Sequence, residues 1–584
     1  MPPSATPATA NFWERRGFAL AWLAAVVLSL PALRVGAFSD DLFQHLVLEG
    51  SVPVAHLGPT TLYDFTGGQN VLPWIESGYL PWQSHPDLSL RFFRPLASWS
   101  ITLDHALFGR APLPGHLINL AWFLGLIAVA IAWFKEVLPK HQAGLASVLF
   151  AVAGGHAMNI AWTSARHLLI SAVFSALGVW LHVRQREAQS SGATSAGTWV
   201  AWPPLMLALA TSEAGLAGFA LIASYEILGR TEGARSRLLA LAVPMSLALA
   251  YLIFYALSGY GVRHSGLYVS PFADPLEFAK AATSRLPILL GELTGAVPAS
   301  LWAAAPARPV LVTLGCVFAL LVTALVVRAR LDGPDRRRML WLGAGAVLGA
   351  LPAVGGIVDG RMLSLPMLAA LAVVATAIDA TLKQTGTHRL AKVAAVVLLA
   401  LHLVLGSSAR LGLTIALGHI SDRQRQLALE ADVSACTTDA TGLILTGSDP
   451  ALSLSGATSL AYYRPELIDR FRAIHVLSMA PQRQTVLRTG ERTLVLTVED
   501  LPRQIPLFEQ VFRDTPLAVG YELELQDFGA QVLETERGFP TRVSFRVPAK
   551  SCLLAWRGGR LVSEPMPLRG ASLAIQYEPG PYGL

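Results

Sequence analysis

A chain of 584 residues that is 53% hydrophobic and only 14% charged does not have the composition of an ordinary soluble enzyme. Its mean hydropathy of +0.48 agrees. The net charge of +6 would suit a nucleic-acid binder. The basic residues, however, fall between apolar segments, where membrane topology accounts for them, so nucleic acid is excluded as a partner.

Residues 1–17 read as a disordered cytoplasmic N-terminus, opening on a run rich in Pro, Ala, Ser and Thr. About eleven apolar segments follow within 18–408, the length class of helices that cross ~30 Å of hydrocarbon. They lie at 18–34, 115–134, 143–162, 167–183, 199–211, 213–229, 237–258, 309–327, 339–356, 362–379 and 391–408. The pair at 199–211 and 213–229 is separated only by Ser212 and reads as broken or tilted helices. Basic clusters follow at every second boundary, including Arg15-Arg16, Lys135, Arg184, Arg230, Arg336-Arg337-Arg338 and Lys383, which marks those boundaries as cytoplasmic. The N-terminus is then inside. The loops at about 35–114 and 259–308 and the region 410–584 are outside, as expected for a protein of a bacterial inner membrane with a periplasmic C-terminal domain. The apolar run ending at Val35-Gly36-Ala37 also resembles a signal peptide, but the later spans argue for an uncleaved first helix.

The first outer loop carries Tyr63, Trp74, Tyr79, Trp82 and Trp99, which predicts short helices lying on the membrane. Residues 189–198 read as a flexible linker. The second outer loop contains turns from Tyr268 to Pro275 and then a semi-apolar helix near 276–297, with Pro287 and Pro298 opposing one straight span. Beyond residue 410, alternating segments at 442–446, 493–497, 541–546 and 571–576 predict a β-rich extracytoplasmic domain, arranged as a sandwich. Cys436 and Cys552 lie near its two ends and would be free to pair in an oxidising compartment; Cys316 sits in an apolar span.

Several polar groups stand out against this apolar background. Asp40-Asp41 lie just outside the first span, where adjacent carboxylates suit proton transfer or a polar substrate; with Ser39 they equally suit a helix N-terminus. Arg166 and Arg361 lie in short outer loops, against the charge rule, as snorkelling side chains or as ligands of a lipid phosphate. His116, Asn119 and His156 would be costly in lipid, so they face the bundle interior, as interhelical hydrogen-bond partners or substrate contacts. Arg94 and Asp104 read as a pair that holds the first outer loop, and Glu213 as a ligand of sugar hydroxyls or of a loop amide. No HExxH, paired CxxC, phosphate-binding Walker loop or GxGxxG after a strand is present, so no cofactor is implied, a divalent metal is unsupported, and a nucleotide-sugar donor is disfavoured.

Five motifs then occur in one order. Phe93-Arg94-Pro95-Leu96 leads to Leu103-Asp104-His105, Gly109 and Gly115-His116-Leu117-Ile118-Asn119. Phe150 and His156 lead to Trp162-Thr163-Ser164-Ala165-Arg166, followed by Thr211-Ser212-Glu213 and by Asp359-Gly360-Arg361 through Pro366, with Asp40-Asp41 ahead of them all. Over about 18–380 this resembles the TMTC-type and PMT-like O-mannosyltransferases and their bacterial relatives, within the GT-C superfamily of membrane glycosyltransferases. Ala153-Gly154, Met158 and Ser212 depart from the family pattern, and no tetratricopeptide repeat appears in 410–584, which leaves sugar and acceptor open. The resemblance implies a GT-C-like bundle in the lipid bilayer that transfers sugar, with inversion, from a polyprenyl-phosphate donor to an extracytoplasmic protein or envelope glycan. It implies one of Asp40 and Asp41 as the base, without separating them, and Arg361, ahead of Arg166, on the leaving phosphate. A transporter or flippase of lipid-linked saccharide, and a non-catalytic envelope assembly protein, are the alternatives.

Overall fold

The computed structural model describes residues 8–52, 56–191, 197–384, 388–499 and 507–580. Residues 192–196 of the expected linker at 189–198 and the first seven residues of the expected disordered terminus lie outside them. The terminus is helical from Ala8, however: α1 runs Ala8–Val27. Close packing explains the early start. A Cβ on Gly17 would stand 2.7 Å from the backbone of Gly144, so two glycines let α1 lie flush on the helix α2, Lys140–Val152.

The chain is an integral membrane protein. Among the described residues seven helices are long and apolar enough to cross a bilayer: Phe12–Arg34, Pro112–Val137, Thr163–Ser190, Ala234–Leu257, Ala305–Arg328, Gly360–Lys383 and Arg389–Leu429. An eighth crossing is counted if Lys140–Val152 and Gly154–Ala161, bent by 50° at Ala153, form one span. The count of eleven is therefore not reached. The apolar stretch near 199–211 yields only the short helix Trp202–Leu209, and 213–229 a short helix that ends in a π-turn. The helix Gly333–Val354 carries Arg336, Arg337 and Arg338 near its start. Thr163–Ser190 and Gly360–Lys383 are the buried centre of the bundle. Leu239, Leu257, Leu320 and Val327 point outward, where lipid rather than water is their natural solvent.

The last span continues as Ser407–Leu429 into the β-rich C-terminal region. Its strands, continuing from a short outer-loop pair β1 (Ser89–Arg91) and β2 (Gly261–Arg263), are β3 (Ala440–Leu445), β4 (Phe471–Ser478), β5 (Gln484–Arg488), β6 (Thr493–Val498), β7 (Glu522–Glu524), β8 (Gly529–Glu536), β9 (Phe539–Arg546), β10 (Ser551–Arg557), β11 (Arg560–Glu564) and β12 (Ser572–Ile575). One sheet has the order β11-β10-β3-β4, and the other β12-β5-β6-β9-β8-β7. The second is antiparallel throughout. In the first, β3 is parallel to both neighbours, and the helix Pro450–Tyr463 makes the crossover to β4. The parallel pairing fits the burial: β3 is buried at all six positions, as a central strand covered on both faces must be. Cys436 and Cys552 form a disulfide that ties the entry of the region to β10.

The first outer loop is only partly interfacial. Val71, Ile75, Trp82 and Leu88 are core residues of the C-terminal region, with Leu443, Phe528 and Phe545. Trp82 is buried; its indole N–H donates to the Leu477 carbonyl at 2.9 Å, and its ring meets Phe545 edge-on. Trp99, on the helix Pro95–Phe108, is exposed as an interface residue should be.

Candidate active site

The two aspartates open a helix, Asp40–Leu48, whose first turn favours negative charge. Ser39, the residue before it, takes φ 53°, a conformation uncommon outside glycine, and its side chain makes no capping bond. Its N–H donates to Gln424 Oε1 at 3.2 Å, while the Gly36 N–H donates to Ser421 Oγ at 2.9 Å. The approach to the aspartates is thereby fastened to Ser407–Leu429.

The pair is not equivalent. Asp41 is buried, and its Oδ1 accepts from the N–H of Ser164 at 2.7 Å and from the hydroxyl of Ser164 at 2.6 Å. Burial pushes its carboxyl up to about 7, against the opposing pull of those hydrogen bonds. Asp40 is half-buried and makes no such contacts. Burial raises its carboxyl above the ordinary range, while the guanidiniums of Arg361 and Arg94 and a hydrogen bond with Ser39 pull it back.

Arg361 sits in the turn Gly360–Leu363, where Asp359 Oδ1 accepts its backbone N–H at 2.8 Å and Asn159 Nδ2 donates to its carbonyl at 2.9 Å. A Cβ at Gly360 would stand 2.1 Å from Glu292 Oε1, so only glycine lets the turn close on that buried carboxylate. The Arg361 guanidinium lies over the Trp162 ring, 5.0 Å from its centroid, and Trp162 stacks on Phe38 at 5.7 Å. Among the described residues it makes no ion pair, which leaves its donors available to a ligand beside Asp40.

Arg94 is committed elsewhere. It pairs with Glu213 through two of its nitrogens and contacts His167 Nε2 at 3.1 Å through the third. Arg166 is fully buried, paired with Asp104 at 2.5 Å and bonded to Asn119 Oδ1 at 2.6 Å and the Gly115 carbonyl at 3.0 Å. Two readings are corrected by these pairs. Arg94 and Asp104 do not pair with each other, because each has a nearer partner on another helix, and the Arg166 guanidinium is already saturated where a lipid phosphate would need it free. Asn119 also donates to the carbonyls of Ile160 and Trp162, His116 to Val35 at 2.9 Å and His156 to Phe150 at 3.1 Å. These three side chains hold backbone, which is the interhelical role.

Three groups went unread in the sequence. Ser164 fixes Asp41; the Tyr63 hydroxyl donates to the Ser164 carbonyl at 2.6 Å; and Tyr268, from the second outer loop, shares the electrostatic field of Asp40, Arg94 and Arg361. Ser164 stands inside a quoted motif, but nothing local to Tyr63 or Tyr268 signals convergence. Among the described residues, no group of three or more His, Cys, Asp or Glu side chains is placed to hold a metal ion.

No protein-family model matches the chain, and no curated protein does. Solved structures similar to it include the following two. One is the oligosaccharyltransferase of Archaeoglobus fulgidus tethered to an acceptor peptide, at 12% identity and a TM-score of 0.38 over 80% of this chain; the chain spans 64% of that protein. The other is ArnT of Cupriavidus metallidurans bound to undecaprenyl phosphate, at 15% identity and a TM-score of 0.36 over 79% of this chain and 90% of that one. Neither likeness assigns a role to a residue here.

Proposed function

We propose that the chain is a GT-C-like membrane glycosyltransferase, which moves a sugar from a polyprenyl-phosphate donor to an acceptor outside the membrane, a protein or an envelope glycan. The observation that carries this reading is the juxtaposition at Asp40: a half-buried carboxylate beside a guanidinium, that of Arg361, with no ion pair of its own among the described residues. Asp40 accepts the proton of an acceptor hydroxyl while that oxygen attacks the anomeric carbon. The bond from that carbon to the phosphate oxygen breaks, and its electron pair leaves with the lipid phosphate. Arg361 offsets the charge that grows there. Attack opposite the departing phosphate inverts the anomeric centre. Asp41 and Ser164 position the helix that carries Asp40, and Arg94 with Glu213 holds the facing wall. Eleven crossings result if the bent pair, the segments near 199–211 and 213–229 and the helix Gly333–Val354 also cross, with the N-terminus inside and the C-terminal region in the periplasm of a bacterial inner membrane.

The test is release of free polyprenyl phosphate by the protein in lipid nanodiscs, given a panel of polyprenyl-phosphate sugars and an envelope extract. Release by wild type that is lost in Asp40→Asn and Arg361→Ala is expected. A flippase or an assembly protein would show no release from any donor, or release indifferent to both substitutions.

A further inference from the structure

Away from Asp40, a cavity of ≈ 290 Å³ opens where three parts of the chain meet. The first outer loop supplies Trp82 and Gln83, the second Gly266, and the C-terminal region Glu509, Phe539 and Val543. The cavity is at the small end of ligand pockets, ~300–1,000 Å³.

Its polar inventory is incomplete. Gln83 is 8% exposed, yet among the described residues its side-chain Oε1 has no hydrogen-bond partner. A buried acceptor left unpaired is destabilising, a cost that a ligand with a hydroxyl or N–H would recover. Glu509 also lines the cavity; burial pushes its carboxyl up to about 8, against a hydrogen bond from the Met479 backbone, so near neutral pH it is neutral and has an O–H to donate. Trp82 has spent its N–H on Leu477 and presents only ring carbon. The lining is therefore mixed: Trp82, Phe539 and Val543 are apolar, and Gln83 and Glu509 stand among the polar residues beside Arg513 and Asp514.

We propose that this cavity binds a neutral saccharide unit, one or two rings in size, with Gln83 Oε1 and Glu509 on its hydroxyls and the aromatic walls on its C–H faces. An acyl chain would leave Gln83 unpaired. Arg513, whose Nε donates to the Gln83 carbonyl at 2.7 Å, and Asp514 lie in the same wall, so the lining has no net charge to select an ion. The Gly266 N–H donates to Gln510 at 2.7 Å in the cavity rim, and Tyr268, two residues on, lies in the field of Asp40. Gly266 of the rim and Tyr268 thus lie on one short stretch of the second outer loop, which suits an acceptor subsite; that role rests on the transferase reading, whereas saccharide binding does not.

The test uses the full chain in nanodiscs, titrated with free neutral mono- and disaccharides and followed by ligand-observed NMR. Saturable binding of at least one is expected. It should weaken about tenfold in Gln83→Leu and in Glu509→Met, the loss of one satisfied polar contact, and persist in Asp40→Asn. Gln83→Leu should match or exceed the wild-type thermal midpoint, because it removes an unpaired amide; a purely structural glutamine would lower it. If it does not fold, Glu509→Met carries the comparison. No saturable saccharide binding, or binding indifferent to the cavity substitutions, overturns the proposal. Binding without polyprenyl-phosphate release by wild type leaves the cavity site standing and removes the transferase.

Discussion

Exchanging each aspartate for asparagine separates two roles that sit one residue apart. Asp40→Asn keeps the shape of a half-buried side chain with few bonds to lose, so the thermal midpoint should stay near wild type. It removes the base, however, and a positioned base contributes roughly 10²–10⁴-fold, about 3–5 kcal/mol of barrier. Asp41→Asn acts in the opposite way. The buried carboxylate accepts two hydrogen bonds from Ser164 and faces the Phe38 N–H at 3.5 Å. An amide fills the same volume but brings an N–H₂ against one of those donors, so about 1–3 kcal/mol of stability should go. Turnover should then fall only as far as the helix Asp40–Leu48 shifts. The assay pairs a thermal melt in nanodiscs with initial rates of polyprenyl-phosphate release. An Asp41→Asn protein of wild-type stability and no turnover, beside an active Asp40→Asn, would refute the assignment.

Four further outcomes follow from the structure. Asp40 works ionised and its carboxyl is raised, so turnover should fall as pH drops through a value above the ordinary carboxylate range of ~4. Arg361 pulls that value down, so Arg361→Gln should move the acid limb of the pH–rate profile further up as well as weaken polyprenyl-phosphate binding. Arg166→Met should cost about 3–5 kcal/mol by stranding Asp104, seen as a lowered thermal midpoint with donor affinity unchanged in the folded fraction. Cys552→Ser opens a loop closed over a sequence separation of 116 and should cost the C-terminal region about 5 kcal/mol, seen in denaturant melts with and without reductant.

The membrane character was legible because apolar length is a local property, and the candidate carboxylates were legible because two adjacent charges beside a span are conspicuous. Pairing was not. Arg94 and Glu213 lie 119 positions apart and Arg166 and Asp104 lie on different helices, so spacing alone offered the nearer but wrong partner. The same limit hid which aspartate is committed: Ser164 is 123 positions from Asp41. Alternation marked strands in the C-terminal region, β3 among them, but the burial of β3 at every position comes from parallel neighbours far off in sequence, which a local pattern does not reveal. Trp82 looked like an interface residue because its composition-based reading carries no knowledge of the β-region that buries it.

Sugar transfer itself is the most direct test of the central claim. Wild-type protein in nanodiscs would be incubated with the donor it cleaves and with an envelope extract, and the acceptor fraction analysed by mass spectrometry. The account predicts a new species heavier by one sugar residue, formed by wild type and absent with Asp40→Asn of equal thermal midpoint. The same species formed equally by both proteins would contradict it.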